Sequence, residues 1–405
     1  MTESVITVAE SELHPAITHA GTRRLLSGAG LPAGGERLRF GALAANRPVP
    51  VAELVDASAD PGALDAHIQG LLAIGRLLTR GDEAEHIVLD GASGRVFSMN
   101  FFADDPDLVE VLPLAPSLEA LARFLVAEDE LVSRSGRFAR FSGQHGVDAV
   151  RDATALFLSV LGAEDWRGGG WGSAGDPGQW DRTLPAFWMI TALVRPLALM
   201  AGPGRGLLVE LPEGLLEEEF GDGEIARFDP ADLPEGLHHE PTRRFLSGTG
   251  LPREAGMFAL YDEAPLRPSR TEAAGERYDG GRDVDASPGG LASGHGPLFA
   301  LGEVVEDCEV VVDGLTGAVH ARYFDGEWRP LNADVSTLAF TVWMHQREET
   351  LDHVHELTYD MYQQLADTMI SVLASLDPVA CAPTDREGDW RYWPEVFHDE
   401  AGGVL

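Results

Sequence analysis

This chain of 405 residues contains no lysine and only two cysteines. All 30 of its cationic side chains are therefore arginine, which fits a GC-rich coding bias better than a functional demand. Without lysine there is no Walker A loop, and no G-x-S-x-G nucleophile elbow occurs either. Cys308 and Cys381 supply no disulfide framework and no zinc-ligand spacing, a usage that suits a reducing cytosol. The N-terminal stretch MTESVITVAESELH has no basic region followed by an apolar one, so it is not expected to be a signal peptide. Long hydrophobic runs are lacking too. The longest apolar stretch, LPAFWMITALVRPLALM (184–200), is interrupted by Arg195 and Pro196 and is too short to span a bilayer. It predicts a buried helix broken near Pro196.

What the chain has in excess is carboxylate. Sixty-six Asp and Glu give a net charge of -36. A field of that sign repels nucleic acid and anionic membranes and attracts basic partners. The plainer reading is a generally acidic bacterial protein. The hydrophobic content of 44% and the length allow two or three buried cores.

The chain also repeats itself. THAGTRRLLSGAGLP (18–32) returns as HHEPTRRFLSGTGLP (238–252). VDAS (55–58) returns at 284–287, LLAIG (71–75) as LFALG (298–302), and IVLDGASGRV (87–96) as VVVDGLTGAV (310–319). PLAPSLEALA (113–122) pairs with PLNADVSTLA (330–339), and LSVLGAED (158–165) with ISVLASLD (370–377). The order is conserved between copies while the offset drifts, as loop insertions would make it do. A period of about 220 residues is too long for a solenoid unit and implies a duplicated domain. The Pro- and Gly-rich MAGPGRG (200–206) marks the join, giving domains over 1–203 and 204–405. A Gly-rich, charged stretch (270–297) predicts a long loop inside the second copy.

Each copy implies the same local order. The opening motif predicts a short helix with Thr22 or a neighbour at its start, a left-handed cap at Gly28 or Gly30, and Leu31-Pro32 beyond its end. Strands are expected over 38–43 and 257–262, then over LLAIGRLL (71–78), HIVLDG (86–91) and RVFSMNF (95–101), with a hairpin turn at ASG. Ser117 and Asp334 are expected to cap long helices. A sheet of hairpin strands followed by helices is an α+β arrangement, mostly antiparallel.

The run LDGASGRVF followed by PLAPSLEALARFL resembles the strand–turn–strand–helix signature of the SUKH superfamily. TRRFLSGTGLP, with FGDGEIARFDPADLP (220–234) ahead of it, resembles one bacterial subgroup of that superfamily. Those proteins are α+β immunity proteins of bacterial polymorphic toxin systems. The resemblance covers most of both copies and is weakest around 165–200 and after 378. It implies two tandem SUKH-like domains in the cytoplasm that bind and neutralise a cognate toxin, a nuclease or nucleic-acid deaminase with a basic face, without catalysis or cofactor. A regulatory scaffold that binds cellular partners is the alternative. Either reading leaves the oligomeric state open.

The chemical motifs are weak by comparison. GWGSAG (170–175) matches a dinucleotide fingerprint but follows a helix pattern rather than a strand. His353 and His355 in HVHE lie two apart on a helix pattern and so point to different sides, which disfavours a shared metal. No metal or cofactor is expected. For partner binding, the candidates are acidic clusters: Asp104 and Asp105; Glu217, Glu218 and Glu219; Glu303, Glu306 and Asp307. Each is read either as a solvated face or as a contact for a partner's basic side chains. Trp171 and Trp180, in Gly-rich surroundings, are candidate aromatic anchors. Trp390, Tyr392 and Trp393 have two readings, an interface or a seal on the end of the domain.

Overall fold

The computed structural model describes residues 5–55, 64–102, 105–162, 184–261, 266–269, 296–305, 308–322, 328–382 and 391–401. The chain folds as two compact units, each with helices and an antiparallel sheet. The described residues of one fall within Met1–Ser142, Asp152–Leu193 and Gln363–Leu365. Those of the other fall within Gly143–Arg151, Val194–Tyr362 and Ala366–Leu405.

In the first unit, α1 (Ala20–Ser27) carries the repeated motif. His19, not Thr22, is its N-cap, and its Nδ1 accepts from the Thr22 N–H at 3.2 Å. Strands β1 (Leu72–Thr79), β2 (Asp82–Leu89), β3 (Val96–Phe102) and β4 (Asp105–Ala115) form consecutive antiparallel neighbours. The short strands Leu38–Arg39 and Val49–Pro50 both pair with β1 and complete a six-stranded sheet. Then come α2 (Leu118–Val132), α3 (Val147–Leu161, in this unit from Asp152 on) and α4 (Ala186–Val194, in this unit up to Leu193). The expected strand over 38–43 stops at Arg39, and residues Gly41–Ala44 turn as a helix. Phe40 and Leu43 are both fully buried. A strand would point residues three apart to opposite faces, whereas a helical turn lets both enter the core.

The second unit repeats the plan with a helical segment placed in front. That segment is α5 (Leu215–Phe220), followed by α6 (Glu240–Gly248), which carries the second motif. Strands β5 (Phe258–Leu260), β6 (Leu298–Val304), β7 (Cys308–Asp313), β8 (Val319–Arg322) and β9 (Trp328–Asn332) follow one another across a six-stranded antiparallel sheet, with Glu254–Ala255 at its edge. Helices α7 (Val335–His355), α8 (Leu357–Leu376) and α9 (Tyr392–Ala401) close the unit.

The repeated letters build the same clamp twice. The carbonyl of Gly91, in the β2–β3 turn, accepts the N–H groups of Thr18 and His19 at 2.8 and 2.9 Å. The carbonyl of Gly314 accepts those of His238 and His239 at 2.7 and 2.9 Å. The capping histidines then bond the motif threonines: His19 Nδ1 to Thr22 Oγ1 at 3.0 Å, and His239 Nδ1 to Thr242 Oγ1 at 2.8 Å. Each imidazole lies against a turn glycine, Gly94 or Gly317, at φ +80° and +76°. A Cβ there would sit 2.3 or 2.2 Å from the imidazole nitrogen, so both the left-handed backbone and the close approach require glycine. The motif therefore ties a helix start to a hairpin turn.

The duplication also extends where the letters do not match. Trp188 on α4 donates its indole N–H to the Leu114 carbonyl near the end of β4, at 2.7 Å. Trp393 on α9 donates to the Asn332 side chain at the end of β9, at 3.0 Å. Each stands edge-on to the preceding aromatic: Phe187 at 4.8 Å and 82°, Tyr392 at 5.1 Å and 84°. Tyr392 and Trp393 are buried, so of their two readings the seal on the domain end holds. The apolar run 184–200 forms α4 and then a 3-10 turn, Arg195–Leu199, with Pro196 in its first positions, as the break near that proline predicts.

Candidate protein-interaction surface

Asp104, Trp171, Trp180, Glu306 and Asp307 lie outside the described residues, as do GWGSAG and Trp390. Asp105 is placed only as the first residue of β4.

Glu217, Glu218 and Glu219 are consecutive on α5, and successive helical residues point about 100° apart. The three carboxylates accordingly go three ways. Glu217 pairs with Arg227, which also donates its Nε–H to the Gly248 carbonyl at 2.7 Å. That arginine ties α5 to the end of α6, where a helix leaves carbonyls unsatisfied. Glu219 turns toward α7, where its nearest cation is Arg347 at 3.9 Å. Burial pushes its carboxyl above the ordinary range, opposed by Arg347 and by the nearby Thr350 and Trp343 side chains. Glu218 alone is exposed. What reads in sequence as one acidic cluster is two internal ties and one free charge. A pocket of about 670 Å³ along α5 and α6 is lined by apolar residues such as Leu216 and Phe245 and by Arg205, Arg244 and Glu213. Its charged lining mixes both signs.

Glu303 lies on β6 and accepts the Tyr261 hydroxyl at 3.0 Å. The described candidates from the sequence thus sit on three elements: Asp105 on β4, Glu217, Glu218 and Glu219 on α5, and Glu303 on β6.

Sequence reasoning weighed His353 and His355 at the junction of α7 and α8 as metal ligands but passed over its tyrosines. There Tyr359 is 87% exposed, Val354 66% and Tyr362 38%. His353 and His355 are exposed on the same stretch, and Glu356 holds a left-handed backbone at φ +52°. The available signal was a gap in the repeat, since TLDHVHELTYDMY (350–362) has no counterpart in the first copy's motifs. Among the described residues, no group of three or more His, Cys, Asp or Glu is arranged to hold a metal ion. No helix among them is long and apolar enough to cross a membrane.

A family model described as SUKH-4 immunity protein matches residues 2–157 and 211–399, one match in each copy. No curated protein matches the chain, and no solved structure does.

Proposed function

The chain belongs to the SUKH-4 immunity protein family, and on that premise we propose that it binds and neutralises a cognate secreted toxin without turnover. The observation that carries this reading is the family match in both copies. The charge supports the finer part. A toxin that cleaves or deaminates nucleic acid must hold phosphate, so its active face is basic. A net charge of -36 would draw such a face in at long range. We take 1–203 and 204–405 as the two domains and the cytoplasm as the place of action, since the antidote must meet the toxin there.

The proposed contacts are the carboxylates free to meet a partner. Glu218 qualifies among the described residues; Glu303, half-buried with one oxygen bonded to Tyr261, is proposed alongside it, as are Asp104, Asp105, Glu306, Asp307, Trp171 and Trp180. Glu217 and Glu219 hold α5 in place, so replacing all three glutamates would confuse binding with folding. Glu218→Arg is the cleaner variant. It should slow association severalfold and leave the melting temperature unchanged.

The test is co-expression of the full chain with each C-terminal toxin domain encoded in its genome, scored for growth. Rescue from one domain is the expected result. No rescue from any of them, with stable binding to a housekeeping protein, would replace the antidote reading by the scaffold.

A further inference from the structure

The two copies diverge between their long helices. Helix α2 has 15 residues and α7 has 21. In the first copy the chain after α2 forms a 3-10 turn, Gly136–Phe141, whose Phe138 and Phe141 are buried. Phe138 packs against Phe157 of α3 at 6.3 Å. In the second copy the aromatics between the helices point outward, with Tyr359 at 87% exposure.

The charge changes sign as well. Residues 133–146 include Arg134, Arg137 and Arg140 and no carboxylate. Residues 348–362 include Glu348, Glu349, Asp352, Glu356 and Asp360 and no arginine, with Arg347 just before them. Glu348 is buried and Asp352 is bonded to Thr358, so among the described side chains Glu356 is the carboxylate the junction exposes. A partner with a basic face is repelled by the first stretch and attracted to the second.

The second stretch is also tied by internal hydrogen bonds, just ahead of a kink at Met361. The Glu356 N–H bonds the Asp352 carbonyl at 2.7 Å, and the Asp352 carboxylate accepts the Thr358 N–H at 2.7 Å and its hydroxyl at 2.8 Å. These bonds fix a non-glycine residue in the left-handed region, a strain that surroundings must over-determine if it is to persist. Leu357 and Met361 are buried at 1% and 4% and anchor the turn from below. The exposed side chains are thus presented from a preorganised support, which reduces the ordering cost of binding. Tyrosine suits that position, because its ring stacks on an arginine guanidinium and its hydroxyl bonds at the wet edge of an interface.

We propose that the α7–α8 junction, centred on Tyr359 with Val354 and Tyr362, is the docking surface of this chain, and that it takes a basic protein face rich in arginine or lysine. The inference rests on the antidote reading and assigns the contact to the second copy.

The experiment uses the full chain and the toxin domain whose growth arrest it relieves. Tyr359→Ala should raise the dissociation constant at least tenfold, and Tyr359→Ala with Val354→Ala about a hundredfold, with urea midpoints unchanged. Val132→Ala, at an exposed position of the first copy, should bind as the parent does. Hydrogen exchange of the complex should show protection over 350–362. Unchanged affinity of the double variant, with rescue intact, would overturn the surface and leave the antidote reading standing. Failure of every toxin domain to be rescued would overturn both.

Discussion

Glu85 and His86 are neighbours on β2, and the fold pushes them in opposite directions. Burial raises the Glu85 carboxyl, the nearby Ser98 hydroxyl opposes that, and the charge of Glu110 adds to it. Burial, and after it the nearby charge of Arg76, lowers the His86 imidazole to about 4 from an ordinary 6.5. A carboxyl raised by folding gives up stability as pH rises through its shifted value. An imidazole lowered by folding gives it up as pH falls from 6.5 toward 4. His86→Gln should therefore flatten the fall in stability between those two values. Glu85→Gln should raise the urea midpoint at pH 7 and do so less at pH 4. Parallel curves for parent and variants would remove both groups from the pH response. None of this was legible in DEAEHIVL, because the shifts depend on residues brought in from β3 and β4. Likewise EEE at 217–219 gave no sign of its three directions, which depend on Arg227 and Arg347 arriving from elsewhere in the chain.

At the scale of elements, local signals were read well and long-range ones were not. Ser117 and Asp334 cap α2 and α7 as the sequence suggests. The two caps differ in reach. Ser117 Oγ accepts one N–H, from Ala120 at 3.1 Å. Asp334 accepts the Ser336 N–H at 2.8 Å, the Thr337 N–H at 3.3 Å and, from outside its helix, the Leu208 N–H at 2.6 Å. Ser117→Ala should cost about 1 kcal/mol in urea unfolding. Asp334→Ala should cost more, about 2 kcal/mol or above, because buried donors lose a charged acceptor. Equal losses would contradict the role of Leu208. Arg37 was invisible in sequence. Its 2%-exposed guanidinium pairs with Glu128 of α2 at 2.5 Å, bonds Thr191 of α4 and lies 4.2 Å over the Phe187 ring. Arg37→Ala removes the buried cation that Glu128, Thr191 and Phe187 share and should cost about 3 kcal/mol, measured the same way. The predicted strand over 38–43 failed for a related reason. Apolar residues three apart fit a strand loosely and a helical turn well, and the core decided between them.

Across the whole molecule, the repeat made the duplicated α+β plan legible before any coordinates. The clamp of histidine, threonine and turn glycine explains why those letters recur. The last helix of each copy escaped notice, because Phe187-Trp188 and Tyr392-Trp393 share a packing role with almost no shared neighbours in sequence. The candidate site was the least legible part. Charge counts named acidic runs, whereas the exposed tyrosines lie where the copies differ and a repeat offers no template. The account holds that this acidic pair of domains acts by occupying a toxin. The most direct measurement is a titration of purified chain into an activity assay of the rescued toxin domain. Activity should fall linearly and reach zero at a fixed stoichiometric ratio. Loss of activity at far lower ratios, or full activity in excess protein, would contradict it.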